Sequence, residues 1–266
     1  MKKRIMSAAV ALIIFIPILI YGGIVFNIAC YILTLLALRE FLKARENHHK
    51  FPDFIRLIAY IMISFVYFSC VLNKNMTFNL DYKVISGAFL TILLPTVLYH
   101  KQELYNIEDA LYVLGGVFFL GFGMSMFSIY RNLGLDLIIF IFLIPIITDT
   151  YAYLVGLLIG KNKLLEEVSP KKTWEGTIGG SIIGCFVCTA YYITVINPNA
   201  KIYIVVIISL FLSLVGQFGD LFFSSIKRKY EIKDFSNLIP GHGGILDRLD
   251  SVLFVVLAFA FFLGII

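Results

Sequence analysis

The sequence carries little charge for its length. Of its 266 residues only 15% are Asp, Glu, Lys or Arg, while 60% are hydrophobic and the mean hydropathy is +0.91. A soluble domain usually has about 25% charged and about 45–50% apolar residues. The composition therefore excludes an ordinary soluble enzyme and predicts an all-α, polytopic integral membrane protein.

Other shortages exclude further classes of protein. There are only four cysteines, and the pair Cys185 and Cys188 has no second Cys or His pair near it, so the cysteines are predicted to be small core residues and not zinc ligands. The sequence has no Walker A motif and no GxGxxG after a strand, which excludes the usual soluble nucleotide-binding folds. The net charge is +5. In a membrane protein the basic residues mainly reflect the topology and contact with anionic membrane lipids, so no nucleic-acid partner is expected.

Long apolar runs predict about nine transmembrane helices. The first run resembles a signal peptide, but we expect it to be retained as a span, because no clear cleavage site precedes a soluble domain. The predicted spans are 5–22, 24–38, 55–72, 84–99, 110–129, 137–159, 174–196, 202–226 and 249–266.

The basic residues predict the orientation of these spans. With the N-terminus in the cytoplasm, 18 of the 22 Lys and Arg fall on the cytoplasmic side, as the positive-inside rule requires. The N-terminal region, 1–136, then contains about five spans. The C-terminal region, 137–266, contains about four spans and two cytoplasmic loops, 160–173 and 227–248, which hold most of the polar motifs. The other side of the membrane receives only Lys74, Lys83, Arg131 and Lys201.

Two acidic residues lie within predicted spans, where an ionisable group is costly and is a functional candidate by default. Asp149 is in the middle of span six, and Asp220 is two turns from the cytoplasmic end of span eight. Gly216 and Gly219 leave room beside Asp220 for another helix or a ligand. Each acid also has a purely structural interpretation. Asp149 would be bonded to neighbouring hydroxyls or to a lysine, and Asp220 would contact Lys227.

The stretch "IPGHGGILDRLD" opens the last span. Asp247 and Asp250 are three residues apart and share a helix face, although acids in a first turn are also explained by the helix dipole. The topology predicts that these acids converge with Asp149 and Asp220 on a cytoplasm-facing cavity. Converging carboxylates would raise one another's pKa values, and a hard divalent cation such as Mg²⁺ would relieve that repulsion.

Lysine-rich segments are predicted on the same membrane face. The segments are "SPKKTWEG", which opens span seven with Ser169 or Thr173 as candidate helix cap, and "KRKYEIKD". Acids and lysines together indicate a metal-bridged polyphosphate, in which the metal clamps phosphate oxygens and lysines neutralise the rest. The lysines concerned are Lys171, Lys172, Lys227, Lys229 and Lys233.

With these residues the sequence resembles the phosphatidate cytidylyltransferases (CDP-diacylglycerol synthases). The stretch "SSIKRKYEIKDFSNLIPGHGGILDRLD" meets each required position of that family's C-terminal signature, and "DTYAYLVG" and "SPKKTWEG" resemble two further family blocks. The motifs cover about residues 145–250, and "LREF" around Glu40 is a faint further likeness. The matching positions are Ser224, Lys227, Arg228, Lys233, Asp234, Pro240, His242, Gly243, Gly244, Asp247, Arg248 and Asp250.

The resemblance implies the reaction of CTP with phosphatidate to give CDP-diacylglycerol and pyrophosphate. It also implies a Mg²⁺-dependent homodimer in the inner (cytoplasmic) membrane with a cytoplasm-facing active site, assisted or not by a monovalent cation such as K⁺. Two rival functions stay open: a related CTP-dependent enzyme acting on an ether lipid phosphate or a lipid alcohol, and an ion-coupled transporter. The transporter is disfavoured because the polar residues lie in one half and on one face.

The resemblance also implies that Asp220 and Asp247 are metal-binding acids and that Ser169 with Lys171 or Lys172 handles phosphates. We expect in addition that Asp250 and Asp149 are further ligands and that Lys227 and Lys171 contact phosphates, so that the predicted catalytic residues are Asp220, Asp247, Lys227, Lys171 and Ser169. His242 would bond a phosphate or the ribose, or else only order its loop. Backbone amides at the glycine pair would approach an anion. The predicted substrate-binding set is Lys172, Arg228, Lys233, His242, Gly243, Gly244 and Arg248.

Overall fold

The computed structural model describes residues 2–72, 81–99 and 104–263, without the side chains of residues 2–5 and 8. Within these ranges the chain forms α-helices and one small antiparallel hairpin between α6 and α7. A π-helical turn, Tyr192–Ile196, follows α7, and a 3-10 turn, Ala260–Phe262, follows α9. The elements are α1 (Lys2–Tyr21), α2 (Gly23–Glu46), α3 (Asp53–Val71), α4 (Tyr82–Leu98), α5 (Ile107–Leu133), α6 (Leu135–Ile159), β1 (Lys163–Leu165), β2 (Ser169–Thr173), α7 (Trp174–Tyr191), α8 (Ile202–Lys229) and α9 (Leu246–Phe259).

These helices confirm the predicted all-α, multi-pass membrane architecture. Six of them (α2, α3, α5, α6, α7 with its π turn, and α8) are long and apolar enough to cross a membrane, and α1 and α4 contain shorter apolar helices. The count of nine spans and the cytoplasmic N-terminus stay predictions. The last three residues of the predicted ninth span, 264–266, lie outside the described residues, as do Lys74 and Lys101 of the charge count.

Large apolar side chains on the outer surface indicate where lipid lies. Ile13 is 70% exposed, Phe186 75% and Leu158 80%. Exposure of so many large hydrophobic side chains would be unfavourable in water and is typical of a chain that contacts lipid.

The chain divides into two compact units. The first comprises residues 1–132 together with 230–247, and the second comprises 133–229 together with 248–266. The first unit therefore holds α1 to α5 and the loop before α9, and the second holds α6 to α8, the hairpin and most of α9. The predicted division into regions 1–136 and 137–266 stays a prediction.

Buried polar contacts connect the helices of the first unit. The Tyr67 hydroxyl lies 2.6 Å from the Ser128 hydroxyl and donates to the Asn27 carbonyl at 2.7 Å, which joins α3 to α5 and α2. Arg45 of α2 pairs with the fully buried Asp109 of α5 at 2.8 Å. Because each of these polar groups has a partner, the core avoids the free-energy cost of burying polar groups without hydrogen bonds.

Glycines set the close helix packing of the second unit. A Cβ at Gly180 of α7 would lie 2.6 Å from the Thr148 carbonyl oxygen of α6. On α8, Cβ atoms at Gly216 and Gly219 would lie 3.0 and 2.9 Å from atoms of α9. The space that the sequence predicted beside these two glycines is thus filled by a helix. All four cysteines of the chain are buried and reduced, which confirms their prediction as core residues.

The hairpin forms the only sheet in the described ranges. Lys163 of β1 pairs with Thr173 of β2, and Leu165 pairs with Ser169. Hydropathy predicts only a polar loop here, because a strand of three to five residues leaves no periodic signal. Of the two candidate helix caps, Thr173 is the one used, since its hydroxyl accepts from the Gly176 amide at 3.2 Å.

Candidate active site

The second unit places a basic and an acidic residue in direct contact. Nζ of Lys172, on β2, lies 2.6 Å from Oδ2 of Asp220, on α8, with side chains 19% and 28% exposed. The Ser224 hydroxyl donates to Asp220 Oδ1 at 3.4 Å. The sequence suggested Lys227 as the structural partner of Asp220, but the ion pair forms with Lys172, which is distant in sequence. The hairpin brings Lys172 to α8.

Two more of the predicted acids lie near this pair. The Ser251 hydroxyl donates to Asp149 Oδ2 at 3.4 Å, and the Ser251 amide donates to Asp250 Oδ1 at 2.8 Å. The charges of Asp149, Asp220 and Asp250 act on one another. Lysine charges offset them, that of Lys172 at Asp149 and that of Lys227 at Asp250. The structure thus brings together three of the four predicted acids and two of the predicted lysines.

Gln217 supports this acid–lysine cluster and was missed by the sequence reasoning. Its buried Nε2 donates to the Ser181 hydroxyl at 2.7 Å and to the Thr177 carbonyl at 3.3 Å, both on α7. The backbone carbonyl of Gln217 accepts from Lys172 Nζ at 3.5 Å. One signal was available: Gln217 is a polar residue within an apolar run, one helical turn before Asp220.

The loop before α9 and the first two residues of α9, Leu246 and Asp247, belong to the first unit. The buried Asp247 Oδ2 accepts from the backbone amides of Phe235 and Gly244, both at 2.9 Å. Gly243 has a φ of +83°, and a Cβ there would lie 2.8 Å from Asp247 Oδ2. Glycine is therefore required twice over at this position, for the left-handed backbone and for the close approach of the carboxylate.

His242 contacts α1 within the same unit. Its Nδ1 lies 2.9 Å from the Ser7 hydroxyl, and that hydroxyl also contacts the Pro240 carbonyl oxygen at 2.9 Å. This is the contact that a loop-ordering histidine makes. Contact of His242 with a phosphate or a ribose stays a prediction.

The other predicted residues are mostly exposed. On β2, Ser169 is half-buried and Lys171 is exposed. Arg228, at the end of α8, is exposed and donates to the Val168 carbonyl at 3.3 Å. Lys233 and Arg248 are exposed as well. Their roles towards a substrate stay predictions, as does the convergence of Asp247 with the acids of the second unit.

A magnesium ion fits the chemistry of these side chains. Across residues 2–72, 81–99 and 104–263, no three His, Cys, Asp or Glu side chains form a ready metal cage. Mg²⁺, however, is usually held by one or two carboxylates together with substrate phosphates and water. Asp149, Asp220 and Asp250 supply hard oxygen donors whose mutual repulsion a cation would relieve. The magnesium ion stays a prediction.

Comparison with known proteins agrees with this chemistry. The family model described as "Cytidylyltransferase family" matches residues 2–266. A curated protein of Staphylococcus aureus (strain COL), named phosphatidate cytidylyltransferase, is 39% identical over 259 residues and 96% of both chains. Proteins of the same name from Staphylococcus haemolyticus and Staphylococcus saprophyticus are each 36% identical, again over 96% of both chains. The chain therefore belongs to the cytidylyltransferase family.

Proposed function

We propose that this protein transfers the cytidylyl group of CTP to phosphatidate, which gives CDP-diacylglycerol and pyrophosphate for phospholipid synthesis. The observation that carries the proposal is the Lys172–Asp220 pair beside Asp149 and Asp250. It is a charge arrangement suited to a polyphosphate, in a membrane chain whose curated relatives are named phosphatidate cytidylyltransferase.

The reaction needs no protein nucleophile. A phosphate oxygen of phosphatidate forms a bond to the α-phosphorus of CTP, and the bond from that phosphorus to the oxygen bridging the β-phosphorus breaks. Pyrophosphate leaves with the electron pair. The protein contributes position and charge neutralisation, which together supply most of the rate enhancement in phosphoryl transfer.

In this proposal the acidic residues bind a cation and the lysines contact phosphate. Asp220 and Asp247 would hold Mg²⁺, with Asp250 and Asp149 as further ligands, and the ion would supply charge neutralisation for the phosphate oxygens of CTP. A monovalent cation such as K⁺ would be an optional addition. A lysine that is paired with a carboxylate can pair with a phosphate instead at little cost in free energy, because both partners are anionic oxygens.

The phosphate-handling residues lie on the hairpin and at the end of α8. Lys172 is already held at 2.6 Å from Asp220, so it is close to any phosphate that those acids attract through a cation. Ser169, Lys171 and Lys227 act on phosphates as well. Arg228, Lys233, Arg248 and His242 complete the binding of CTP and the lipid headgroup.

The charge distribution supports an orientation in the inner membrane with the active site facing the cytoplasm. Eighteen of the 22 Lys and Arg fall on that side in the nine-span topology. A homodimer surrounded by membrane lipids is part of the same proposal. Asn237, exposed in the loop before α9, tests the orientation. After substitution Asn237→Cys, a membrane-impermeant thiol reagent should label the loop only from the cytoplasmic side, since the four natural cysteines are buried.

The activity is tested with purified protein, labelled CTP, phosphatidate and Mg²⁺. We expect CDP-lipid from the wild type and at least about 100-fold less from Asp220→Asn and Asp247→Asn, a loss typical of removing a charge-stabilising group. Asp136→Asn, at the N-terminal turn of α6, is the matched control and should keep wild-type turnover. No product from the wild type, or undiminished turnover in both site variants, would overturn the proposal.

The acceptor is tested in the same assay. Diacyl phosphatidate, an ether-linked phosphatidate and a polyprenol are offered in parallel at equal surface concentration. The proposal requires the diacyl lipid phosphate to give the highest kcat/KM. A preference for the ether lipid or for the alcohol would assign the chain to the rival CTP-dependent activity.

A further inference from the structure

Glu40 is a buried carboxylate in the charged segment that follows the apolar run of α2. It lies in α2 and is 4% exposed. A buried carboxylate is costly unless its oxygens are hydrogen-bonded. None of the roles considered above for the acids of the chain uses Glu40.

The two oxygens of Glu40 accept hydrogen bonds from the loop before α9 and from the first residue of that helix. Oε1 accepts from the Ser236 hydroxyl at 2.5 Å and from the Ile245 amide at 3.0 Å. Oε2 accepts from the Leu246 amide at 2.9 Å. These donors follow Glu40 by about 200 residues in the sequence, but all belong to the same compact unit. The carboxylate therefore holds two separate parts of the loop together.

The Ile245 and Leu246 amides are at the start of α9, where the first N–H groups of a helix have no partner within the helix. Such groups are usually satisfied by a Ser, Thr, Asp or Asn that precedes the helix. Here the preceding residues are "GHGGI", which contain none of these. Glu40 supplies the cap from another helix, and its negative charge also suits the positive end of the helix dipole.

Gly244 makes this contact sterically possible. A Cβ at Gly244 would lie 2.5–2.6 Å from the carboxylate atoms of Glu40. The neighbouring Gly243 makes the same allowance for Asp247, at 2.8 Å. In the described structure the glycine pair therefore accommodates two carboxylates of the protein itself. This is a physical reason for the paired glycines that needs no external anion.

The contacts of Glu40 bear directly on the position of Asp247. Leu246, whose amide Glu40 binds, is the residue before Asp247, and Asp247 in turn binds the Phe235 and Gly244 amides. The two carboxylates join residues 235–236 to residues 244–246. Removal of one leaves the first turn of α9 anchored at one point instead of two.

We propose that Glu40 is a positioning residue that holds the first turn of α9, and so fixes the orientation of Asp247 for catalysis. The catalytic part of this inference rests on the proposed function, but the contact between Glu40 and the loop does not. An acid near the end of α2 thus acts on the reaction through a segment about 200 residues further along the chain.

The variant Glu40→Gln tests the contact without reference to activity. Glutamine keeps the shape of glutamate but places an N–H₂ donor against a backbone amide donor. Loss of the charged acceptor then leaves the Ile245 and Leu246 amides open to exchange with solvent. We expect their hydrogen exchange in detergent-solubilised protein to become about 10-fold faster or more. Glu46→Gln is the matched control, because Glu46 lies in the same helix and forms an ion pair with Arg56 at 3.5 Å. Unchanged exchange in Glu40→Gln would overturn the proposal.

The positioning role is tested by turnover per folded molecule. Loss of a group that orients a metal-binding side chain typically costs about 10–100-fold, so kcat of Glu40→Gln should fall by that factor with a smaller change in KM for CTP. Glu40→Asp keeps the charge and should recover part of the loss, and the Mg²⁺ concentration for half-maximal activity should rise in Glu40→Gln. Faster exchange with wild-type turnover per folded molecule would show a structural cap only and would overturn the positioning role.

The two proposals fail in different ways. If the wild type makes no CDP-lipid, the proposed function is wrong, and the exchange rates still decide whether Glu40 holds the loop. If the wild type is active and Glu40→Gln equals Glu46→Gln in exchange and turnover, the function stands and the inference on Glu40 is wrong.

Discussion

The ion pair of Lys172 with Asp220 predicts an asymmetry between its two single variants. Lys172→Met leaves Asp220 without its cation beside Asp149 and Asp250, whose charges act on it. In Asp220→Asn, Lys172 still donates to the backbone carbonyl of Gln217 and still has the negative charge of Asp149 near it. We therefore expect the lysine variant to be the less stable of the two.

The magnitude follows from the burial of the pair. Breaking a fully buried pair costs about 3–5 kcal/mol, whereas an exposed pair contributes about 0–1 kcal/mol. With side chains 19% and 28% exposed at an N···O distance of 2.6 Å, the cost for Lys172→Met should be about 2 kcal/mol, between these limits. At about 2 °C per kcal/mol for a chain of this size, the unfolding temperature should fall by about 4 °C.

A double-mutant cycle on thermal unfolding in detergent measures the pair itself. Lys172→Met, Asp220→Asn and the double variant should give a coupling free energy of about 1–3 kcal/mol, the range for residues in direct contact. The control is the more exposed pair of Arg56 with Glu46, for which the same cycle should give less than about 1 kcal/mol. Additive single effects at Lys172 and Asp220, or a larger coupling in the control, would refute the reasoning.

Three further substitutions have expected outcomes. Gly244→Ala places a Cβ about 2.5 Å from a buried carboxylate and should lower turnover at least about 10-fold, an effect typical of a displaced supporting group, while Gly115→Ala, with open space around it, should leave turnover unchanged. Thr173→Ala removes the cap of α7 and should destabilise by about 1 kcal/mol; an unfolding temperature equal to that of the wild type would contradict this. Tyr67→Phe removes the hydroxyl that joins three helices and should cost about 1 kcal/mol with kcat per folded molecule preserved, so a fall in kcat would argue against a purely structural hydroxyl.

The helices could be predicted from the sequence because a membrane span leaves a long apolar run. Their ends could not, since hydropathy reports the part in lipid and not the end of the helix. The second predicted span ends at residue 38, yet α2 continues to Glu46 through the charged segment "REFLKARE". Likewise the last predicted span begins at 249, whereas α9 begins at Leu246. In both cases helical backbone extends into the polar segment, where charged residues are still good helix formers.

The acids of the site could be predicted for a similar reason, because a carboxylate in an apolar run is conspicuous by its cost. Their partners could not. Helical periodicity can only suggest residues within a few turns, which is why it proposed Lys227 for Asp220 and missed Lys172 on the hairpin. The same limit hid the role of Glu40, whose three donors lie about 200 residues away in the sequence.

The glycine pair shows how the same residues support two physical readings. From the sequence, Gly243 and Gly244 indicate backbone amides open to an anion. In the structure the Gly244 amide donates to Asp247 and the adjacent space is filled by Glu40. Both readings require glycine, but only the second requires a particular acid in α2. The long motif from Ser224 to Asp250 is thus incomplete by itself, because the conformation of its last loop depends on a carboxylate that the motif does not contain.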